Sequence, residues 1–336
     1  MVVWLDGWVA LTKKTLDRKI EALEALRAAP LSAASQEQLR KALQDRSNYA
    51  VARAAAVVAD LQLQALVQDL VAAFDGFLAN GAKADPQCWG KNAIAKALKD
   101  VGHRGAEVFL RGSRHFQWEA VWGGREDTAA TLRGTCALAL VGSDLGDLEI
   151  LRRLAELLAD PAKTVRVDAA RAIAQLGRVE GAILLRFKAL SGDREPEVVG
   201  QCLSALLAIE PRVSIPFVAQ FLDAAGEDVR IEAAGALSES AEPEAMQALE
   251  WFWNRQTDPG VRRTLLALLG ASPVPESARL LVRVLGEASG ETAIEAVQAL
   301  ARSRFRAQVR EEAAAAVARG GDARARRAFE SAFGAG

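Results

Sequence analysis

The sequence predicts an all-α fold, a right-handed α-solenoid of about eight helix pairs, on three observations. Helix formers dominate: about one residue in five is Ala, 51% of the 336 residues are hydrophobic, only 6% are aromatic, and Tyr is used once. A short helix with both ends marked recurs every 31 to 33 residues. A second helical pattern lies between successive copies, so the unit is helix A, turn, helix B, turn. Neither helix buries its apolar face alone, and neighbouring units must stack. The expected organisation is a single array over 1–336. It has N-terminal capping helices over 1–45, repeats over 46–303 with an insertion at 103–125, and C-terminal capping helices over 304–336.

In chain order, residues 5–28 read as a long amphipathic helix with Lys13, Lys14, Arg18, Lys19, Glu21 and Glu24 on its wet face. It covers the open end of the core. Asp85-Pro86-Gln87-Cys88-Trp89 opens a divergent copy of the repeat. Trp89 and Leu132 are then 43 residues apart, about ten more than the period, so an insertion sits between a helix A and its helix B. It holds both histidines, His103 and His115, with Trp118, Trp122, Arg104, Arg111, Arg114 and Arg125. Long interruptions of a compact scaffold often carry function, and Trp and Arg dominate interface hot spots.

The best copy of the repeat runs from Asp160 to Gly177. Asp160 is a good N-cap and Pro161 a good first helical residue. Val165, Ala169, Ile173 and Leu176 share one face, and Gly177 is placed to end the helix. The pattern returns at Val198–Leu206, Asp228–Leu237, Asp258–Gly270 and, more weakly, Thr292–Leu300. The anchors Leu132, Val165, Val198, Val229, Val261 and Thr292 are 33, 33, 31, 32 and 31 residues apart. Helix A patterns lie between them at 148–158, 183–190, 215–222, 245–253 and 278–285. Ala169-Ala170 and Ala233-Ala234 let stacked B helices approach closely. In the Trp251-Phe252-Trp253 run at least one ring faces the core. Residues 304–333 read as two Ala/Arg-rich helices split at Gly320-Gly321.

The Asp-Pro-x-x-x-Val-Arg-x-x-Ala-Ala-x-Ala-Leu-Gly pattern at 160–177, 228–237 and 258–270 resembles a HEAT repeat. Its short period resembles the phycobilisome-lyase type of HEAT-like repeat. The resemblance covers 125–303 well and 46–102 loosely. It implies a binding scaffold, with helix B on the concave side. The outward residues of helix B would then include Arg133, Arg166, Asp168, Arg171, Gln175, Gln201, Ser204, Arg230, Glu232, Arg262, Arg263, Glu295 and Gln298. Arg166, Arg230 and Arg262 share one repeat position. They form either a structural ladder or a mildly basic groove for an acidic segment.

Composition narrows the function. With 42 basic and 43 acidic residues and a net charge of −1, a globally basic nucleic-acid binder or membrane-surface protein is disfavoured. Eight Arg against three acidic residues between Arg302 and Arg327 make a local phosphate patch or a solvated face of the capping helices. Cys88, Cys136 and Cys202 are an odd, widely spaced set, read as apolar fillers and not as a disulfide framework or zinc site. No signal-peptide pattern and no long apolar span is present, so the expectation is a cytoplasmic bacterial protein. A metal site from His115 and Glu119 would need both on one helix face, and it lacks the second His of an HExxH motif.

The expected function is a non-enzymatic scaffold, without cofactor, that binds a protein or peptide partner. The candidate contact residues are Trp89, Arg114, His115, Trp118, Trp122, Arg125, Arg133, Arg166 and Arg171. The alternative for Phe116, Trp118 and Trp122 is packing, in which the insertion folds back between units. Two other functions stay open. Resemblance to phycobilin lyases implies an enzyme or enzyme subunit with a ligand pocket in the insertion. Resemblance to HEAT-like alkylation-repair glycosylases implies DNA binding.

Overall fold

A computed structural model describes residues 3–28 and 32–334, with side chains from Leu16 onward. The chain divides into two compact units, 1–176 and 177–336. The first contains α1 (Val3–Ala28), α2 (Ala33–Leu43), α3 (Asn48–Asp60), α4 (Val67–Ala84), α5 (Trp89–Asp100) and α6 (Ala106–Ser113). The strands β1 (Trp118–Val121) and β2 (Gly124–Asp127) follow, then α7 (Ala130–Leu140), α8 (Asp147–Leu157) and α9 (Lys163–Leu176). The odd-numbered helices stack in order, α1 on α3 on α5 on α7 on α9, and α2, α4, α6 and α8 pack against them as a second layer.

The second unit repeats this plan. It contains α10 (Val179–Ser191), α11 (Pro196–Ile209), α12 (Pro211–Ala219), α13 (Glu227–Ser238) and α14 (Pro243–Arg255). It continues with α15 (Pro259–Ala271), α16 (Pro275–Glu287), α17 (Gly290–Arg302), α18 (Arg310–Gly320) and α19 (Ala323–Phe333). Helices α11, α13, α15, α17 and α19 stack, and α12, α14, α16 and α18 form the other layer. The described residues thus form nine A/B helix pairs after α1, close to the number the period predicts. The expected capping helices α18 and α19 pack on α16 and α17 as one further repeat. Among the described residues, no helix is long and apolar enough to cross a membrane.

Local chemistry explains the boundaries. Asp258 Oδ1 accepts from the amides of Gly260 (2.7 Å) and Val261 (3.0 Å), and α15 begins at Pro259 as its cap predicts. Helix α9 ends at Gly177, whose φ of +67° an L side chain would resist. It starts at Lys163, two residues later than Pro161; Asp160 Oδ1 still accepts the Ala162 amide at 2.8 Å while its carboxylate pairs with Arg133. Gly270 lies inside α15 and does not terminate it. A Cβ there would sit 2.6 Å from the Ala299 carbonyl oxygen, so this glycine permits the close approach of α15 and α17.

Acidic side chains pack over glycines of the preceding stacked helix. A Cβ on Gly134 would lie 2.2 Å from Asp168 Oδ2, and one on Gly200 would lie 2.0 Å from Glu232 Oε2. Burial pushes the Asp168 carboxyl above its ordinary range. It does the same for Glu232, and the like charges of Glu197 and Asp228 add to the effect. The paired alanines 169-170 and 233-234 are fully buried, as close stacking requires. All three cysteines are free and buried, and burial pushes the Cys88 and Cys202 thiols up to about 12.

Two glycines give opposite expectations. Gly235→Ala meets only Leu268 Cδ2 at 3.8 Å, so it should stabilise by up to ~1 kcal/mol through helix propensity. Gly270→Ala collides with backbone and should cost ~1–3 kcal/mol, read as a fall in Tm. Because the folded state raises the Glu232 pKa, its penalty is absent in acid and grows as pH rises through the folded-state value. Glu232→Gln should therefore raise Tm by about 1–3 °C at pH 7.5. Differential scanning calorimetry should show that gain shrinking toward pH 5.

Candidate functional site

A basic side chain recurs at one repeat position and reaches six residues back. Lys91 Nζ lies 3.0 Å from Asp85 Oδ2 and Arg133 Nη1 lies 2.7 Å from Asp127 Oδ2. Arg166 Nη1 donates to the Asp160 carbonyl at 2.8 Å, Arg230 Nη1 to that of Ala224 at 3.0 Å, and Arg262 Nε to that of Gln256 at 2.7 Å. Each cation satisfies the turn that delivers its own B helix, where acceptors would otherwise lack partners. This corrects the expectation that Arg133 and Arg166 point outward to a partner. Arg133 is fully buried and Arg166 nearly so. Arg166, Arg230 and Arg262 do form a repeated structural device, but their acceptors are carbonyls of their own leading turns and not the acidic side chains or helix C-termini of a neighbouring unit.

The extra residues between α6 and α7 form a β-hairpin. Within the expected insertion at 103–125, residues 106–113 are α6, a regular helix A. Trp118 pairs with Asp127, Glu119 with Glu126, Ala120 with Arg125 and Val121 with Gly124. The two-residue loop Trp122-Gly123 closes the hairpin with Gly123 at φ +87°.

The base of the hairpin is a polar network that is buried at Lys91, Asp85 and Gln117 and partly exposed at Glu119, Thr128 and Gln87. Gln117 Oε1 accepts from Lys91 Nζ (2.8 Å), and Gln117 Nε2 donates to the Asp85 carbonyl (2.9 Å) and to Glu119 Oε1 (2.7 Å). Glu119 Oε1 also accepts from Thr128 Oγ1 (2.6 Å) and the Gln87 amide (2.8 Å). Burial would raise the Glu119 carboxyl, yet these three hydrogen bonds outweigh it and hold it below its ordinary value. Asp85 accepts from Asn48 Nδ2 and from the amides of Gly90 and Lys91, which caps α5.

Arg133 ties the other side of the hairpin to the next repeat. Its Nε and Nη2 donate to Asp160 Oδ2 and Oδ1 at 2.8 and 2.9 Å, a bidentate pair. Its Nη1 donates to the His115 carbonyl at 3.1 Å, and the guanidinium stacks 3.9 Å from the Phe116 ring centroid. Burial opposes its charge, but Asp160 and Asp127 outweigh burial and keep it ionised.

His115 is half-buried, with its Nε2 shielded from solvent and unbonded. Burial and the nearby Lys91 charge push its pKa down, so the imidazole is neutral at pH 7. Residues 115–119 are not helical and the Glu119 carboxylate is engaged, so the geometry assumed for a His115–Glu119 metal site does not form. Among the described residues, no group of three His, Cys, Asp or Glu side chains is placed to hold a metal.

The outer side of the hairpin is apolar and solvated. Trp122, at the apex, is 103% exposed, so none of the described residues packs on it. Trp118 is 52% exposed, and Phe116 and Val121 are exposed beside it. Phe116 packs on Arg133, as the packing alternative expects, whereas Trp122 is fully and Trp118 half exposed. Arg114 and Arg125 are exposed as well, Arg125 Nη2 lying 3.4 Å from the Trp118 carbonyl oxygen.

Gln87 (φ +59°) and Cys88 (φ +56°) hold consecutive left-handed conformations under Glu119. Trp89 follows them at the start of α5, 56% exposed, with its ring 6.0 Å from that of Tyr49 on α3. A shallow groove of about 340 Å³ runs from Trp89 between α3 and α5, past Ala56, Asn92 and Lys96. Arg171 stands apart on α9, 3.4 Å from Asp168.

Sequence reasoning missed Tyr49, Lys91 and Gln117, and it weighed Glu119 only as a metal ligand and Asp85 only as the opening of a repeat copy. The signal available was the alternation of Gln117 and Glu119 with Trp118 and Ala120, followed by Trp122-Gly123-Gly124, a hairpin pattern. Of the Trp251-Phe252-Trp253 rings, the last two are buried and Trp251 stacks on Arg255 at 4.4 Å. In the C-terminal Arg run, Arg310 donates to the Phe333 carbonyl and Arg306 to that of Ala301.

The layered helix pairs, with one β-hairpin among the described residues, define a helical-repeat protein. Residues 184–270 match the family described as HEAT repeats, and this stretch is a HEAT-repeat array. No curated protein sequence matches the chain. Similar solved structures include the complex of CpcE and CpcF of phycocyanin lyase from Nostoc sp., at 18% identity over 74% of this chain and 94% of that one, TM-score 0.39. An engineered protein is 18% identical over 94% of this chain and 93% of that one, TM-score 0.35. Human deoxyhypusine hydroxylase in complex with glycerol is 20% identical over 76% and 89%, TM-score 0.30.

Arg133→Ala leaves Asp127 and Asp160 buried without their cation and should cost about 3–5 kcal/mol. Hydrogen exchange should show faster exchange at 115–129 and at the start of α9, ahead of α1–α3. Unchanged protection at both places would contradict the assigned tie.

Proposed function

We propose that this chain is a non-enzymatic interaction scaffold in which the 118–127 hairpin, with Trp89 beside it, docks a protein or peptide partner. The observation that carries this reading is Trp122, an indole wholly in water at the apex of an anchored hairpin. Keeping a large aromatic solvated forgoes about 1.5–3 kcal/mol of burial, which a partner would supply. The hairpin is preorganised by Glu119, Gln117 and Arg133, so little ordering entropy opposes docking. Trp118, Val121 and Arg125 extend the contact with residue types favoured at interfaces.

The same interactions argue for structure over chemistry. The Glu119 carboxylate is held by three donors, and the Cys88 thiol is buried and protonated. The three free, buried thiols fit a reducing, cytoplasmic setting. Arg114 and Arg125 bias the rim toward an acidic segment of the partner.

The test compares the intact chain with Trp118→Ala and Trp122→Ala. Each should weaken a partner captured from the native cell by more than about 1 kcal/mol, with Tm unchanged. A double variant that keeps full affinity, or one that instead lowers Tm by several degrees, defeats the reading.

A further inference from the structure

The hairpin presents an unpaired strand edge. The Thr128 amide donates to the Gln117 carbonyl at 2.9 Å, which makes 117 and 128 a hydrogen-bonded pair. Bonded and non-bonded pairs alternate along an antiparallel ladder, so 119 with 126 and 121 with 124 are bonded pairs too. The amides and carbonyls of Trp118 and Ala120 therefore face away from β2, and those of Arg125 and Asp127 face away from β1. Ala120 is exposed, and the Trp118 carbonyl meets Arg125 Nη2 at 3.4 Å. Natural sheets guard such edges with Lys, Pro, bulges or covering segments. The β1 sequence Trp-Glu-Ala-Val has neither Lys nor Pro, and its register is uninterrupted. Its one charge, Glu119, is held to the base by its hydrogen bonds. The β2 edge is the charged one, with Arg125 and Asp127 as its outward residues.

We propose that an extended acidic segment of the docking partner adds to the hairpin as a third strand, on the β1 edge. The inference rests on the docking role given to the hairpin above and names the form of the partner. An antiparallel segment exchanges two hydrogen bonds with Ala120 and two with Trp118. In this mode of recognition main-chain bonds supply affinity and alternate side chains supply specificity. The side chains of Trp118, Ala120, Arg125 and Asp127 share one face of the hairpin, and those of Glu119, Val121 and Glu126 the other. On the first face only the Ala120 methyl stands between the added strand and Arg125. A partner side chain opposite Ala120 starts two strand spacings, about 10 Å, from Arg125, within the combined reach of a Glu and an Arg. Charge selects an acid there. Arg125 meets a neutral carbonyl, and among the described residues neither it nor Arg114, which precedes β1, has an ion pair. The exposed Glu126 lies on the opposite face, and Asp127 is taken by Arg133 and by the amides of Gln117 and Ala129. Two residues along the added strand, an aliphatic side chain would pack on the Trp118 ring.

The probe is a fluorescein-labelled synthetic heptapeptide of alternating Thr and Val with Glu at its centre, titrated with the full chain and read by fluorescence anisotropy. It should bind saturably. Methylating the backbone amide of the central Glu, which faces β1, should weaken binding at least ~10-fold, whereas methylating the next amide, which faces away, should leave it nearly unchanged. Lys in place of the central Glu should weaken binding, and Arg125→Glu should reverse that preference. Ala120→Pro removes the outward amide without touching a bond to β2, so it should weaken the peptide as much as methylation does, with Tm unchanged. If that variant does lose Tm, the methylated peptides decide the case on the native chain. A peptide that does not bind, or binding indifferent to which amide is methylated, overturns strand addition. So does sedimentation equilibrium showing a dimer that Ala120→Pro abolishes, since the occupant is then a second copy. Where Trp118→Ala and Trp122→Ala weaken the captured partner and Ala120→Pro leaves it bound, docking stands and strand addition falls. Where all three leave it bound, the docking reading falls as well.

Discussion

The guanidinium of Arg133 is the tie on which the exposed hairpin depends. Three features meet there: the hairpin through Asp127 and the His115 carbonyl, the helix α7 that carries the arginine, and the next repeat through Asp160. A bidentate pair in a dry site is geometrically exacting, and a carboxylate left there without its cation is costly. The arginine therefore has one arrangement, and so does the hairpin. The Phe116 ring covers the guanidinium face and keeps water from the pair.

That tie is a special case of a device used along the chain. In five places a Lys or Arg folds six residues back onto the turn that leads into its helix. In a regular copy the acceptor is a turn carbonyl. Where the chain departs from the pattern, at Asp85 and Asp127, it is a carboxylate. The departures coincide with the divergent turn 85–88 and the hairpin, and Gln117 and Glu119 join the two. An inserted element is thus grafted onto the repeat with the repeat's own chemistry, and the left-handed Gln87 and Cys88 persist because the network over-determines them.

The polar base and the apolar tip serve opposite ends. Buried hydrogen bonds and ion pairs make the base unique in geometry. The tip gives up burial of Trp122 and half of Trp118, so its free energy is available to something outside the chain. A flexible loop with the same tryptophans would lose much of that energy to ordering on contact. Rigid support of a solvated aromatic is a property of a docking element more than of a core.

Much of the fold was legible in the sequence because its signals are local. Helix propensity, the Asp258 cap, the Gly177 stop and the 31–33 residue period each depend on residues within one or two turns, and stacking follows once neither helix can bury its face alone. The hairpin site was legible as a place, through the broken period and its tryptophans, but not as an arrangement. Arg133 and Arg166 look like surface cations in sequence and are buried, because the carboxylates and carbonyls that hold them come from turns assembled only on folding. Trp118 and Trp122 look as much like core as like surface, and which they are depends on a strand register that tertiary contacts set. Residues 183–190 fit a helix A pattern in sequence, yet Ile183, Phe187 and Leu190 are exposed, since an apolar helix does not announce how many of its faces find partners. Period and propensity act within a unit and are written in it. Burial is a relation between units, and only the assembled structure decides it.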